Sequence, residues 1–367
     1  MGAKIPFAQI RVIRSLYMGI QAMRLIRWWY GMLATLAFLT AAAEEPASYR
    51  AGTERFVSEM VHKYGFDKGE LTTLMGQARY SREVMDAIRR PFEAKPWYKY
   101  RPIFLTDKRI QGGAAFWREN RGSLERAQAT YGVPPQIIAA IIGVETNYGG
   151  NLGRHRVIDA LSTLGFSYPE RADFFRKELA ALLLLAREEP IDTLGLRGSY
   201  AGAMGLPQFI PSSYRAYAVD FDGDGRRNLW ESKADAIGSV GNYFEQHGWK
   251  AGEPVALAGR ITDGVPRGIV LAGKKPVKPA IGLDKLEAAG ITTDAHLSGT
   301  TRATLIRLHA PEPEYWLGIE NFYVITRYNH SNLYAMAVYQ LSREIQAAYE
   351  AGRKQQATAD RSWDMGK

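Results

Sequence analysis

Hydrophobic positions recur at helical spacing over most of this chain. Phe56, Met60, Val61 and Tyr64 share one helical face, as do Val84, Ala87 and Ile88, so residues 50–127 read as helices, with Phe116 and Trp117 in the core. Ala172–Glu188 carries a leucine-rich face, Ala234–Gln246 reads as another helix, and Asn321–Ala351 is again aromatic and helical. Between them the texture changes. Val255–Ala258 and Gly268–Ala272 are short apolar runs among Gly and Pro, which predict a few strands, and Leu283–Ala289 predicts a short helix. Pro91–Pro102 reads as a proline-broken connection that exposes Trp97, Tyr98 and Tyr100, whose rings either pack or stack on a ligand. Gly195–Ser213 is rich in Gly, Ser and Pro and shows little strand character.

One helix stands out. Pro134 and Pro135 open it, at positions where proline suits a helix start. Ile137, Ile138, Ile141 and Ile142 form a stripe, and Glu145 continues that stripe. A carboxylate there must face the interior or a cleft wall. Burial disfavours its charged form and raises its pKa, which turns a glutamate into a general acid near neutral pH. The alternative is a structural glutamate paired with an arginine or a backbone amide.

The first 43 residues differ in kind. Arg24 and Arg27 precede the apolar run Trp28–Thr40, and Ala41, Ala42 and Ala43 supply an Ala-x-Ala pattern: a signal peptide, or else an uncleaved membrane anchor. Met18 and Met23 are alternative starts. The chain has no cysteine, so lipoprotein processing, thiol chemistry, disulfides and Cys-based metal sites are excluded. The leader holds five basic residues and no acid; without them the net charge falls from +9 to +4. Such a mildly basic protein suits an anionic polymer and offers no basic run for nucleic acid.

Asp220, Asp222, Asp224, Gly225, Arg226 and Glu231 match the D-x-[DN]-x-[DN]-G-x5-E pattern of an EF-hand calcium loop. Three carboxylates converge when the chain turns at the glycine, Arg226 offers its backbone carbonyl, and Glu231 closes the shell. Arg226 and Arg227 place positive charge beside the cation, and Arg227 stands where an apolar residue is usual. Only one such loop is visible, which points to a structural Ca²⁺ rather than a sensor. An acidic surface turn is the other reading.

Three segments, Gly143–Gly150 (GVETNYGG), Gly198–Tyr214 and Thr326–Tyr334, together with the acidic loop and Ser239–Phe244, resemble the B-type lytic murein transglycosylases, glycoside hydrolase family 103. The resemblance runs from about residue 53 to 348. It implies an α+β, mainly α protein: a lysozyme-like core with a helical domain and a small β-containing domain. Non-hydrolytic cleavage of the β-1,4 bond between N-acetylmuramic acid and N-acetylglucosamine is the implied activity. Glu145 matches the single catalytic glutamate, which protonates the glycosidic oxygen. The substrate's N-acetyl group stabilises the glycosyl cation, and the carboxylate then takes the proton of the C6 hydroxyl as a 1,6-anhydro ring closes. Ser199 matches the residue that orients this glutamate, Gln208 a contact to the N-acetyl region, and Tyr243, Tyr328, Asn329 and Tyr334 the cleft around it. Tyr100 matches an aromatic sugar platform. A later aspartate, Asp235, closes a lengthened calcium loop in the family, whereas Glu231 fits the ordinary loop. Family members are often anchored through a lipidated cysteine, which this chain lacks.

The expected organisation is a leader at 1–43 and a helical domain at 44–127, with 335–351 as its candidate completion. A core at 128–250 follows, holding the calcium loop at 220–235 and completed by 321–334. A β-containing insert at 251–320 and a disordered tail at 352–367 complete the chain. Expected partners are peptidoglycan glycan strands and cell-wall synthases, not nucleic acid, and a membrane only if the leader is retained. The expected setting is a monomer in the periplasm of a Gram-negative bacterium. The competing readings are a non-catalytic peptidoglycan-binding scaffold with a structural calcium site, a hydrolytic lysozyme, and a Ca²⁺-regulated sensor.

Overall fold

The structure is a computed structural model that describes residues 45–90, 95–261 and 264–364, with side chains through residue 356. The expected leader lies outside the described residues. Contacts divide the chain between Pro46 and Ala47, and the helical part, the core and the β-containing part lie together in the unit Ala47–Lys367. Among the described residues no helix is long and apolar enough to cross a membrane.

Helices α1 (Ala47–Tyr64), α2 (Lys68–Met75), α3 (Arg82–Ile88), α4 (Trp97–Phe104), α5 (Asp107–Glu119) and α6 (Arg121–Tyr131) precede helix α7 (Pro135–Thr146). Local chemistry sets their limits. The side chains of Asp67, Ser81 and Thr106 accept the backbone N–H of Glu70, Val84 and Arg109, donors that a helix start otherwise leaves unpaired. Gly132, in the left-handed region, stops α6.

The connection expected at Pro91–Pro102 is helical from Trp97 onward, despite Pro102 inside the helix. Trp97 and Tyr100 stack on each other and are buried, and only Tyr98 of the three rings is exposed, at 44%. Burial of two large rings outweighs the local cost of the proline.

Helix α7 is the hub. It packs against α5, α6 and two later helices, and Ala139 and Ala140 are as buried as the isoleucines. The apolar stripe is therefore not one face of an amphipathic helix; the helix is buried all round, as its nearly unbroken apolar sequence requires. Strand β1 (His155–Arg156) and helices α8 (Val157–Ser167) and α9 (Ala172–Glu188) follow. Strand β2 (Arg197–Gly198) returns to pair antiparallel with β1. A side chain at Gly153 would strike the backbone of Gly198 at 2.1 Å, so this close approach needs glycine there. The Gly-rich segment thus has a short strand, extended by bridges from Met204 to Gly198 and Phe209.

Helices α10 (Pro211–Tyr217) and α11 (Lys233–Gln246) lead to a six-stranded sheet. Its strands are β3 (Ala256–Ile261), β4 (Leu271–Ala272), β5 (Ile281–Gly282), β6 (Ile291–Thr292), β7 (Arg302–Leu308) and β8 (Glu314–Gly318), with the short helix α12 (Leu283–Ala288) between β5 and β6. The order is β4-β7-β8-β3-β6, with β5 on β7; β4 runs parallel to β7, and the other pairs are antiparallel. Alternation along β7 serves two cores. Ala303 and Leu305 join a small cluster with Leu283, Leu286 and Ile291, whereas Ile306 and Leu308 join the main core.

Helix α13 (Glu320–Tyr328) and helix α14 (Asn332–Asp364) close the chain, with α14 packed on α7 and α5. The tail expected to be disordered from residue 352 instead continues α14 to Asp364. Leu341, Ile345 and Tyr349 anchor the preceding turns, and once a helix is nucleated, Ala-, Gln-, Lys- and Arg-rich sequence propagates it readily.

Ile141→Ala in α7 is expected to lower stability by about 2–5 kcal/mol through the cavity it leaves. Gln355→Ala, on the exposed end of α14, is expected to change it by less than about 0.5 kcal/mol. Urea denaturation of the two variants checks this.

Candidate active site

Glu145 lies in the last turn of α7, where burial gives way: Val144 and Glu145 are half-buried and the turns before them are closed. Asn147, Tyr148 and Gly149 then take three successive positive φ values, which turn the chain sharply away. Non-glycine residues resist that region, so the turn must be held from outside. Tyr148 does this: its ring fills a slot against Gly112, Gly113 and Gly143, where any Cβ would collide, and its hydroxyl donates to Arg109 O at 2.8 Å. Thr146 ties the same turn to the Gly-rich segment, donating to Leu206 O at 2.9 Å. Neither residue carries an apolar or acid–base pattern that marks it in sequence.

The carboxylate of Glu145 accepts a hydrogen bond from the phenol of Tyr334 at 2.5 Å. Burial raises its pKa to about 7, and the Tyr334 hydrogen bond pulls the other way. Burial, with the charge of Glu145 second, holds the Tyr334 and Tyr328 phenols well above their usual value, so both stay protonated. Tyr328 stacks nearly parallel to Tyr334, at 6.5 Å between ring centres, and donates to Pro207 O at 2.5 Å. Tyr243 meets Tyr328 edge-on at 4.8 Å and donates to Arg327 O at 2.7 Å. Gln208, itself at positive φ, turns its amide nitrogen onto Gly205 O at 3.0 Å and Leu152 O at 3.3 Å. The carbonyls of Gly205, Leu206 and Pro207 are thus bound by Gln208, Thr146 and Tyr328, which fixes this segment beside Glu145. Asn329, half-buried, directly follows Tyr328.

Two sequence expectations change. Ser199 does not hydrogen-bond Glu145; its hydroxyl oxygen accepts the N–H of Ala201 and Ala203 in its own turn. Among the described residues the bond to Glu145 comes from Tyr334 instead, because α14 carries that phenol directly over the end of α7. Tyr100 is only 2% exposed, so it forms no open sugar platform; it packs between Trp97 and Phe104, close enough to Tyr334 to affect its ionisation.

A second buried acid shows why burial alone does not make a site. Glu178 is as enclosed as a core residue, and burial raises its pKa too. Ser212 occupies both of its oxygens, through Oγ at 2.8 Å and the backbone N–H at 2.9 Å, at the start of α10. That carboxylate is a helix-capping group with nothing left to offer. Glu145 keeps an accessible edge, has no arginine or lysine in ion-pair contact among the described residues, and so fits the structural-pair alternative poorly.

The acidic loop brings oxygen atoms of Asp220, Asp222 and Asp235 within 4.8 Å of one another. Asp235 lies at the start of α11, capped by Ser232, and its two oxygens accept the N–H of Phe221, Asp222 and Asn228. Ser232 also donates to Asp222 Oδ2 at 2.6 Å. Asp224 and Glu231 do not join this cluster: Asp224 accepts the N–H of Arg226, and Glu231 is exposed beside the Asn228 amide. Of the two candidate closing residues, Asp235 lies with Asp220 and Asp222 and Glu231 does not; α11 starts only at Lys233, after Glu231.

The family model described as the transglycosylase SLT domain matches residues 48–343, and the chain belongs to that family. It is 45% identical over 307 residues to the membrane-bound lytic murein transglycosylase B of Escherichia coli (strain K12), covering 80% of this chain and 82% of that one. It is similar in structure to the soluble lytic transglycosylase SltB1 from Pseudomonas aeruginosa, with 53% identity, a TM-score of 0.76, and 81% of this chain and 98% of that chain covered. It is also similar to the Escherichia coli lytic transglycosylase Slt35 in complex with calcium, with 44% identity, a TM-score of 0.74, and coverage of 81% and 93%.

A raised carboxylate pKa has a thermodynamic sign. From about pH 4.5 to 7 the unfolded chain releases the Glu145 proton while the native state keeps it, so this group lowers stability as pH rises through that window. Glu145→Gln is expected to gain melting temperature over the parent between pH 4.5 and 7 and to hold a constant gain above. A calorimetric difference that is flat with pH contradicts the raised pKa.

Proposed function

We propose that this chain is a lytic murein transglycosylase that cleaves the β-1,4 bond between N-acetylmuramic acid and N-acetylglucosamine without water, leaving 1,6-anhydromuramic ends. The observation that carries the reading is Glu145: one cleft carboxyl, held near neutrality by burial, fixed by a phenol, and without a second carboxylate in its electrostatic surroundings among the described residues. Two-carboxylate glycosidases need a second acid as nucleophile or base. A single group must act twice.

Protonated Glu145 gives its proton to the glycosidic oxygen as the C1–O bond breaks. The N-acetyl oxygen of the same muramic unit bonds to C1 and takes up the positive charge. The Glu145 carboxylate, now stabilised by the Tyr334 hydrogen bond, removes the proton of the C6 hydroxyl; O6 bonds to C1 and releases the N-acetyl oxygen. The proton returns to Glu145, so the cycle closes. Tyr334 orients and stabilises the carboxylate form, which is the form the second step needs. Gln208 faces the N-acetyl region, and Tyr243, Tyr328 and Asn329 form the wall. Ser199, with its hydroxyl oxygen already accepting two N–H groups, keeps its own proton for a sugar.

The acidic loop suits Ca²⁺. A hard cation takes several oxygen donors, and Asp220, Asp222 and Asp235 supply three converging carboxylates. Ca²⁺ neutralises their mutual repulsion and so pins the chain ahead of α11, the helix that bears Tyr243. The relative solved with calcium supports this reading. Export to the periplasm by the leader, and glycan strands as substrate, complete it.

Mass spectrometry of digested sacculi tests the reaction: anhydromuropeptides are expected, and reducing-end muramic products indicate a lysozyme instead. Glu145→Gln is expected to abolish release with the fold intact. Tyr334→Phe is expected to lower turnover about 10-fold or more, by loss of a charged hydrogen bond worth about 1.5–3 kcal/mol. Turnover is expected to fall as pH rises above about 7, where Glu145 loses its proton. Ca²⁺ at 100 times its Kd is expected to raise the melting temperature by roughly 5 °C, and Asp235→Asn to remove that gain.

A further inference from the structure

A second cleft, of about 590 Å³, lies between α4, α14 and the sheet, and neither Glu145 nor Tyr334 lines it. Helix α14 lines this cleft and also carries Tyr334, the partner of Glu145. Arg343 follows Tyr334 by nine residues, about two and a half turns, so it points away from the catalytic side. Across the cleft, Arg101 of α4 donates from Nε to Gln340 Oε1 at 2.7 Å, which sets its guanidinium at the mouth. Among the described residues neither Arg101 nor Arg343 has an acid within ion-pair distance, although three acids line the same cleft. Asp294 is committed to Arg260. Glu314 is clamped by two indoles, Trp97 Nε1 at 3.1 Å and Trp316 Nε1 at 3.2 Å. Among the described residues Glu344 has no basic partner, and it stands one residue from Arg343. The floor is aromatic: Trp316 and Tyr339 meet edge to face at 6.0 Å, and the Tyr339 hydroxyl holds Ala256 O at 3.0 Å.

We propose that this cleft binds the stem peptide of murein, with Arg101 and Arg343 receiving its carboxylates. This rests on the murein substrate proposed above. The chemistry matches in three ways. Two planar guanidiniums lining one cleft suit carboxylates. A free carboxylate beside them, Glu344, suits the amine of a diamino acid. A small aromatic floor among alanine side chains suits alanine methyl groups. A cleft of this size takes a peptide of a few residues. Bound there, a stem peptide keeps the enzyme on the sacculus while the opposite face of α14 serves the reaction.

Titration calorimetry with a synthetic stem pentapeptide and the full chain tests this. Saturable binding is expected, weakened by salt, at least 10-fold weaker with R101A/R343A, and at least 10-fold weaker when the peptide's carboxylates are amidated. Both arginines are exposed, so an unchanged melting temperature verifies the fold of the variant. No binding, or equal binding of the amidated peptide, overturns the proposal. Turnover of peptide-free glycan strands by R101A/R343A is expected at the parental rate, and a loss there means the cleft belongs to the catalytic site. A parent that binds the peptide but cleaves no glycan contradicts the transglycosylase reading and leaves this one standing.

Discussion

The protonated carboxyl of Glu145 is the constraint around which the rest is arranged. A carboxylate is far better hydrated than a carboxylic acid, so holding the proton near neutral pH requires surroundings that exclude water without supplying a cation. Helix α7 meets the first requirement by being apolar on every side, and the tyrosines meet the second. A phenol donates a hydrogen bond without adding charge. It therefore steadies the ionised state only partly, leaving the pKa near 7 rather than in the ordinary carboxylate range. An arginine in the place of Tyr334 would hold Glu145 ionised and remove the acid.

That balance demands rigidity, and the hydrogen bonds around the Gly-rich segment supply it. Consecutive carbonyls of Gly205, Leu206 and Pro207 are bound by residues from three different parts of the chain. The left-handed turn after α7 is held by Tyr148 in a slot made of glycines. Thr146 ties the end of α7 to the Gly-rich segment and Tyr148 ties the turn after it to α5, so the position of one carboxyl depends on packing beyond its own helix. The acidic loop belongs to the same scheme, since Asp235 and Ser232 fix the start of α11, which delivers Tyr243 to the tyrosine cluster.

Much of this was legible in the sequence. The helices, the Gly-rich segment, the acidic loop and the candidate acid all follow from local spacing and from residue types whose chemistry is specific. The resemblance to the family singles out Tyr328 and Tyr334 from sequence alone. What went astray did so where tertiary burial overrode a local signal. Pro102 and the neighbouring aromatics read as an open connection because proline breaks helices, yet two buried rings decided the matter. The polar tail read as disordered because it cannot make a core, yet it only had to extend one already anchored helix. The loop left Glu231 and Asp235 both open, and only packing at the start of α11 sets Asp235 rather than Glu231 beside Asp220 and Asp222.

The sequence by itself determined which elements form and which groups have chemistry, because periodicity, capping and side-chain type act over a few residues. The tertiary structure alone decided which group touches which. Tyr334 reaches Glu145 across 189 positions of chain, and no local rule links them. Ser199 turned inward on its own backbone, and Tyr100 went into the core, for the same reason: orientation depends on neighbours brought in from elsewhere. Glu178 and Glu145 look alike in sequence as acids set beside apolar helical positions. Only the packing shows that one has both oxygens bound at a helix start and the other stays partly exposed with a single phenol on it.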